Sequence, residues 1–460
     1  MTPIAIPKEQ LRPADNAQVR RAAYAGLVGT MLENYDFVIY GTASALIFNQ
    51  LFFPTISPAA GMIAAFSAYA IGFVARPVGG LFFSHFGEKF GRKWVLVMTL
   101  FLMGTATFAI GCLPTFNQVG VLAPILLVLC RFLQGFGAGA EQSGGATLLT
   151  ETAPLGKRGR YASFVQVGAA LGSSLGAIAW VLIQTLSRDA LLTWGWRAIF
   201  WSSILVTVVA AIVRSKLNES PVFTELKAAV NVEDRAPLAE VWHDGRSTVL
   251  RVMGNFLGAS TQSYIYQVFM ASYLVSVLGM DKTFIPPVLL AGALAAAVSA
   301  FVSGVISDKL GRRPWLLVLC AILTITPFMA FPILHTGNKL LIAGVIIFGF
   351  VFAAQGITSP QMSYFPELFG NRYRYAGVTV GREFGSVIGG GIAPLLAASL
   401  LAWFGGSWVP VAIYMAVMMG ISLVSTWFGP ETVNRNLHVA NNAVPGEAVK
   451  LRDGQWYSAS

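Results

Sequence analysis

The sequence predicts an all-α membrane protein with twelve transmembrane helices in two pseudo-symmetric six-helix bundles. Three observations point to this fold. First, 55% of the 460 residues are hydrophobic and only 11% are charged, whereas soluble domains carry about 25% charged residues. Second, apolar runs of about twenty residues, long enough to cross a bilayer as a helix, recur along the chain. Third, one charged loop occurs twice.

The repeated loop reads SHFGEKFGRK at residues 84–93 and GVISDKLGRR at residues 304–313. Glu88 aligns with Asp308, about half the chain later, and in each copy a glycine follows the acid and precedes two basic residues. A charged loop repeated once between apolar segments indicates a duplicated membrane unit. The alternative is two unrelated basic loops, since cytoplasmic loops are generally basic.

In chain order, the sequence divides into five regions. Residues 1–20 form a basic N-terminal tail, residues 21–216 the first bundle, residues 217–247 a polar linker, residues 248–429 the second bundle and residues 430–460 a C-terminal tail. We expect short amphipathic helix in the linker and disorder in the C-terminal tail, which is rich in Asn, Gly and Ser. The predicted spans are residues 21–48, 58–83, 94–113, 119–150, 161–186, a sixth ending near 214, 248–279, 283–306, 314–334, 338–367, 373–402 and 408–428.

Lysines and arginines are distributed unevenly across the predicted membrane. Of the 31, three lie inside spans and most of the others lie on the side of both termini. The four on the opposite side are Arg188, Arg197, Lys282 and Lys339. Because positive residues concentrate on the cytoplasmic side, we expect a multi-pass protein of the cytoplasmic membrane with both termini in the cytoplasm. The net charge of +10 is then a property of topology and does not indicate a nucleic-acid partner.

The sequence offers no enzyme site. Cys112, Cys130 and Cys320 lie within spans without metal-ligand spacing, so we expect neither a metal nor another cofactor. The histidines all lie in loops, linker or tail, at His85, His243, His335 and His438. A membrane-embedded enzyme would need a nucleophile and base, or metal ligands, within the spans.

Charged residues inside spans are costly and usually functional. Span 1 carries Glu33 and Asp36 on one helical face, and span 4 carries Arg131 and Glu141. From a rise of about 1.5 Å per residue, Asp36 and Arg131 both fall near mid-depth and can meet. A guanidinium beside Asp36 favours the ionised carboxylate, and its removal favours proton uptake, which would couple a proton to transport. The alternative is a permanent ion pair between the two helices.

The remaining intramembrane charges leave several interpretations open. Glu141 is a candidate for a second proton site, or an acid that packs helices. Arg382 and Glu383 are adjacent in span 11, so only one is expected to face a cavity. Arg382 is a candidate to hold a substrate carboxylate, with an internal ion pair as the alternative. Arg76 is expected to have a structural role and to extend towards the cytoplasm.

Uncharged polar side chains form a second group of substrate-binding candidates, because amides and tyrosines in a cavity can bind polar solutes. They are Gln262, Tyr266, Gln267 and Tyr273 in span 7, Gln166 in span 5, and Gln355 and Gln361 in span 10. Hydrogen bonding between helices is the alternative. Glycines four residues apart predict close helix packing. They are Gly168, Gly172 and Gly176 in span 5, and Gly377, Gly381, Gly385 and Gly389 in span 11.

The repeated loops predict a cytoplasmic gate made of ion pairs between the two bundles. Glu151 and Glu367, near the inner ends of spans 4 and 10, offer acids for Arg92 and Arg312. The predicted gate residues are Glu88, Gly91, Arg92, Glu151, Asp308, Gly311, Arg312 and Glu367. A purely topological role for the loops is the alternative.

The loops resemble the signature loop of the major facilitator superfamily. Several other segments together are similar to its metabolite:proton symporter family, which carries shikimate, α-ketoglutarate, citrate, proline or betaine. They are ENYDFVIYG in span 1, GFVARPVGG in span 2, RFLQGFGAGAE in span 4, WGWR before span 6 and YRYAG at residue 373. Glu88 replaces the usual aspartate, Gln142 and Ser143 stand where relatives often have an aromatic residue, and Arg382 and Glu383 lie where the shikimate carrier is uncharged.

The resemblance implies a twelve-helix transporter with a central cavity, in which Asp36 and Arg131 resemble the coupling pair of proton-linked sugar carriers. We therefore expect a secondary transporter that imports a small organic acid or zwitterion with protons and works as a monomer. A proton-coupled exporter of the same fold is the alternative. The departures mean that the substrate cannot be copied from any one relative.

Overall fold

The structure, a computed structural model, describes residues 16–56, 58–215, 237–281, 284–452 and 455–458. Twelve helices or helix pairs follow the predicted spans and are called spans 1 to 12. In chain order they are Asn16–Leu46, Pro58–Phe90, Arg92–Cys112, Leu122–Ala138 with Glu141–Thr152, Arg158–Ile183, Trp196–Ser215, Arg246–Tyr264 with Met270–Ser276, Ile285–Leu310, Arg312–Leu334, Lys339–Phe348 with Thr358–Leu368, Arg374–Ser386 with Ala393–Trp403, and Val409–Trp427.

The helices have the length and composition of membrane spans. Within the described residues, nine are long and apolar enough to cross a bilayer. Spans 1, 2 and 7 match them in length, and spans 1 and 2 carry buried charges. We call the end of the bundle that holds Gly91 and Gly311 the inner end, because the Lys and Arg distribution predicts that it faces the cytoplasm.

Shorter elements complete the fold. Short helices lie at Phe48–Phe52, Phe116–Val119, Arg188–Ala190 and Pro237–Asp244, the last of these in the linker. π-helical turns lie at Leu191–Gly195, Ile265–Phe269, Gly349–Gly356 and Val387–Gly391, three of them inside spans 7, 10 and 11. Such turns insert one residue into a helix, change the direction of the following side chains and are frequent at functional sites.

Helix packing repeats between the two halves, spans 1–6 and spans 7–12. In the first half, span 1 packs on span 5, span 2 on span 4, and span 3 on span 6. In the second half, span 7 packs on span 11, span 8 on span 10, and span 9 on span 12. The halves meet where span 5 packs on span 8 and span 2 packs on span 11. The packing therefore has the pseudo-symmetry that the repeated loop predicts.

Glycines allow the backbones of neighbouring spans to touch. A Cβ atom on Gly168 or Gly172 would lie 2.1 Å from the carbonyl oxygen of Leu27 or Met31 in span 1. A Cβ atom on Gly389 would lie 2.4 Å from the carbonyl oxygen of Leu257 in span 7. These contacts agree with the packing role expected for the glycine series of spans 5 and 11.

Replacing Gly168 with alanine should lower the free energy of unfolding by about 1–3 kcal/mol, because the added methyl group overpacks the contact with Leu27. Thermal unfolding of the purified protein measures the change. Gly344→Ala is the matched control, since a Cβ atom there would meet nothing within 4 Å and alanine favours a helix. Equal unfolding temperatures for the two variants would show that the close approach does not matter.

The described residues of the C-terminal tail, 430–452 and 455–458, have a defined structure, so the expectation of disorder is wrong for them. Its strands β1 (Val449–Arg452) and β2 (Gln455–Ser458) pair in an antiparallel hairpin. Arg435 is fully buried and donates to the carbonyl oxygen of Glu367 at 2.9 Å. Asn434 accepts a hydrogen bond from the amide of Gly156 in the first half at 2.7 Å. The polar composition suggested disorder, but these polar groups bind polar groups of the inner end instead of water.

Candidate functional site

Spans 1, 2, 4 and 11 bring seven charged side chains together in the interior of the bundle. Taken as whole residues, each is at most 4% exposed. They are the acids Glu33, Asp36, Glu141 and Glu383 and the arginines Arg76, Arg131 and Arg382. Ionised groups at such positions need partners or a function, because an unpaired charge in a low-dielectric interior is costly.

Asp36 and Arg131 are connected through two neutral side chains. The hydroxyl of Thr107 in span 3 donates to Asp36 Oδ2 at 2.5 Å, and Gln134 Nε2 donates to Thr107 Oγ1 at 2.7 Å. Arg131 Nη1 in turn donates to Gln134 Oε1. The described contacts of Asp36 and Arg131 include no direct ion pair, which corrects the expected face-to-face contact. Helix rise predicts their depth but not that Thr107 lies between them.

The Arg131 guanidinium is surrounded by aromatic rings. Its central carbon lies 4.7, 4.3 and 4.8 Å from the ring centroids of Phe37, Tyr40 and Tyr69. Such contacts stabilise a desolvated cation. Its Nε and Nη2 atoms are buried without a hydrogen-bond partner, so they can donate to a polar solute.

Replacing Thr107 with valine should lower the free energy of unfolding by about 1–3 kcal/mol, because Asp36 loses a buried hydrogen-bond donor and Gln134 loses its acceptor. Thermal unfolding of the purified protein measures the change. Thr105→Val is the matched control, since Thr105 lies in the same span with an exposed side chain. Thr107→Ser should unfold at the wild-type temperature, and equal unfolding temperatures for the serine and valine variants would contradict the role of the hydroxyl.

A second chain of charges crosses between the two halves. Arg76 pairs with Glu33 of its own half at 3.0 Å and with Glu383 of the opposite half at 2.8 Å. Glu383 also pairs with Arg382 at 2.6 Å, and Arg382 donates to Gln142 of span 4. Arg76 is buried and pairs inside the bundle, so it does not reach the cytoplasmic surface as expected. Arg382 and Glu383 pair with each other, and which of them faces a cavity stays a prediction. The long arginine side chain turns back to its neighbour.

Two aromatic residues lie beside this chain, and the ring centroid of one of them, Phe73, is 5.9 Å from the central guanidinium carbon of Arg76. Phe73 of span 2 and Tyr264 of span 7 form an edge-to-face contact across the halves, with centroids 5.1 Å apart. A Cβ atom on Gly391 would lie 2.8 Å from Phe73 Cβ, so span 11 touches the same residue. Sequence reasoning missed Tyr264, which immediately precedes the π-helical turn of span 7.

Glu141 lies at a break in span 4, where the helix stops at Ala138 and resumes at Glu141. Thr99 of span 3 donates to Glu141 Oε2 at 2.9 Å. A carboxylate in the first turn is favourable because the helix dipole is positive there. A proton-binding role for Glu141 stays a prediction.

The polar side chains predicted on one face of span 7 make contacts within the second half. Gln262 Nε2 donates to the carbonyl oxygens of Leu323 and Met415, in spans 9 and 12. Tyr266 is buried, and a Cβ atom on Gly349 of span 10 would lie 2.0 Å from its ring. For Gln262, the alternative of hydrogen bonding between helices therefore describes the structure better than substrate binding.

The other polar candidates are distributed along the bundle. Gln267 donates to Ser263 of its own helix at 2.6 Å, and Tyr273 OH lies 3.4 Å from His335 Nε2. Gln355 Oε1 accepts from Thr358 at 3.5 Å. Gln166 is buried in span 5. Gln361 donates to the Asn255 side chain at 2.8 Å, which is a contact within the second half.

At the inner end, ion pairs join the halves in a symmetric manner. Glu151 of span 4 pairs with Arg374 of span 11 at 2.9 Å, and Glu367 of span 10 lies 3.9 Å from Arg158 of span 5. The two pairs occupy equivalent positions of the duplication. Glu367 also binds Arg312 with both carboxylate oxygens, at 3.1 and 3.2 Å. Glu151 therefore meets Arg374, which sequence reasoning did not consider.

The second repeated loop caps a helix of the first half. Asp308 accepts hydrogen bonds from the backbone amides of Gly159 and Arg160, at 2.8 Å each, and from Arg312 at 2.8 Å. A carboxylate is favourable at the N-terminus of a helix. Gly91 and Gly311 adopt nearly equal positive φ angles of 107° and 108°, a conformation that glycine adopts without strain. The side chains of Glu88 and Arg92 lie outside the described residues.

Comparisons with known proteins agree with this architecture. The family model described as Major Facilitator Superfamily matches residues 26–381. The chain is 37% identical over 402 residues to the shikimate transporter of Escherichia coli (strain K12), covering 87% of this chain and 92% of that protein. It is 30% identical over 439 residues to the proline/betaine transporter of the same organism, covering 93% and 87%.

Among solved structures, the fold resembles the proton:xylose symporter XylE bound to 6-bromo-6-deoxy-D-glucose. The TM-score is 0.78 at 15% sequence identity, and the match covers 93% of this chain and 99% of that chain. At this identity the likeness concerns the fold. The family model and the relatives together show that the chain is a multi-pass membrane transporter, and not an enzyme, and that it belongs to the metabolite transporters of the major facilitator superfamily.

Proposed function

We propose that this transporter imports a small organic acid or zwitterion together with protons, with its inner end and both termini in the cytoplasm. The observation that carries the proposal is the charge of the buried cluster of spans 1, 2, 4 and 11. Its four acids and three arginines leave one negative charge when all are ionised. The carboxylate of an organic acid or a zwitterion that enters this cluster places a further negative charge beside these acids, which is unfavourable unless an acid binds a proton.

Anion binding and proton binding therefore favour each other, and the coupling is reciprocal. Asp36 is the acid that we assign to the proton, because it receives only neutral hydrogen-bond donors and its Oδ1 atom has no partner. The unpartnered donors of Arg131 are available to the solute. By contrast, Glu33 and Glu383 are already paired with arginines. The same charge balance would suit a cation exchanged for a proton, which is the alternative of a proton-coupled exporter.

Uptake under an imposed pH gradient tests the proposal. Spheroplasts and inverted vesicles would be given labelled shikimate, proline and glycine betaine, whose transport the names of the relatives describe. We expect at least one of these solutes to accumulate in spheroplasts acidified outside, and the accumulation to end when a protonophore removes the gradient. Accumulation only in inverted vesicles acidified inside would establish the alternative, an exporter that exchanges protons.

A further inference from the structure

One buried carboxylate holds guanidinium groups from both halves of the transporter. Glu383 Oε2 accepts from Arg76 Nε of span 2 at 2.8 Å, and Glu383 Oε1 accepts from Arg382 Nη1 of its own span at 2.6 Å. The side chains of Glu383, Arg76 and Arg382 are 1%, 2% and 5% exposed. Water therefore contributes little screening to this pair of contacts.

The backbone around Glu383 brings the halves close enough for this contact. A Cβ atom on Gly80 of span 2 would lie 2.9 Å from Thr379 Cγ2 and 3.4 Å from Glu383 Cγ. Spans 2 and 11 therefore touch at this depth. Arg382 adds a second polar contact between the halves, because its Nη2 atom donates to Gln142 of span 4.

This contact is separate from the ion pairs at the inner end. Glu383 lies nine residues after Arg374 in the same span, which is roughly 14 Å along the helix axis. The inner end can therefore open fully only when the contact of Arg76 with Glu383 breaks as well. Arg382 Nε has no hydrogen-bond partner, so this guanidinium can donate a hydrogen bond to a second carboxylate.

We propose that Glu383 is a positioning residue for alternating access. Its carboxylate, held between Arg76 of the first half and Arg382 of the second, keeps the halves together until a carboxylate of the solute replaces it on the two guanidinium groups. The release step rests on the proposed function, because it requires an anionic or zwitterionic solute. The locking contact itself requires no solute and can be tested alone.

The test compares Glu383→Gln with Glu33→Gln in the purified full-length protein. Both substitutions remove a buried carboxylate that pairs with Arg76, at 2.8 and 3.0 Å, but only Glu383 reaches Arg76 from the opposite half. Spin labels at Val119 and Leu340, exposed residues at the outer end of each half, report opening and closing. Cys112, Cys130 and Cys320 are replaced by alanine first.

The measurement is pulsed electron paramagnetic resonance, without solute and at one fixed pH. It should show a single long distance between the two labels in the parent protein and in Glu33→Gln. In Glu383→Gln we expect a second, shorter distance between the labels, from protein whose outer end has closed. The ratio of inner-open to inner-closed protein should rise at least about tenfold, which corresponds to about 1.4 kcal/mol in the free energy of opening. Equal distance distributions in the two variants would overturn the proposal. Because no solute is present, that result would leave the proposed function standing.

If Glu383→Gln does not fold, the double variant Arg382→Gln with Glu383→Gln removes one charge of each sign and leaves the pair of Glu33 with Arg76 intact. It should shift the outer distance in the same direction as Glu383→Gln. A distribution identical to that of the parent protein would again overturn the proposal.

Discussion

Asp36→Asn protein should lose the accumulation of solute against its gradient while keeping downhill exchange. Asparagine has the shape of aspartate and can still accept the hydrogen bond of Thr107, but it cannot bind the proton that accompanies the solute. A pH gradient of one unit supplies about 1.4 kcal/mol per proton, which supports about a tenfold accumulation. We expect this factor to fall to about one, measured as the steady-state ratio of labelled solute across the membrane.

Asp189→Asn is the control for this result, since Asp189 has an exposed side chain in a short helix of the loop between spans 5 and 6. Its accumulation ratio should equal that of the parent protein. Retained counterflow in Asp36→Asn would show that the protein is folded and binds solute. Tenfold accumulation by Asp36→Asn at the normal proton cost would exclude Asp36 as the coupling acid.

Glu367→Gln should cause the largest loss of stability at the inner end. Glu367 is fully buried and accepts hydrogen bonds from two nitrogens of Arg312. It also accepts a hydrogen bond from the hydroxyl of Thr432 at 2.8 Å. The amide removes the negative charge and directs N–H groups at a guanidinium. Removing one partner of a buried ion pair costs about 3–5 kcal/mol, so the unfolding temperature should fall by several degrees in a fluorescence melt.

The control for Glu367→Gln is Glu240→Gln, which breaks a partly exposed ion pair with Arg372 at 3.4 Å. An exposed ion pair contributes only about 0–1 kcal/mol, so this variant should melt close to the parent protein. A second expected sign of the Glu367 change is faster labelling of a cysteine placed at Ser163, which is buried where spans 5 and 8 meet, since the inner end opens more often. Equal melting of the two variants would mean that the inner-end pairs add little to stability.

The sequence was sufficient to predict the twelve-helix fold and its duplication, while the depth of the buried charges in the membrane stays a prediction. Sparse charge and long apolar runs determine which segments cross the membrane, and rise per residue places Asp36, Arg131 and Glu383 in depth. It did not identify the neighbours of these residues. Thr107 and Gln134 complete the chain from Asp36 to Arg131, although Gln134 lies three residues after Arg131 and so on the same helical face.

Two physical features limited the prediction of the site. Side-chain direction around a helix depends on its rotation against its neighbours, and the π-helical turn at Ile265–Phe269 changes that direction within span 7. Tyr264 before the turn therefore contacts Phe73 of the first half, while Gln262 binds within the second half. Contacts between distant spans, such as Arg76 with Glu383, depend on how the two halves meet.

The ordered C-terminal segment has a practical consequence for protein engineering. Arg158 of the first half and Arg374 of the second donate to the backbone carbonyls of Arg435 and Leu437, each at 2.6 Å. If a purification tag or fluorescent reporter replaced the chain after residue 430, both guanidinium groups would lose these acceptors. Fusion partners should therefore follow residue 460, where neither carbonyl is disturbed.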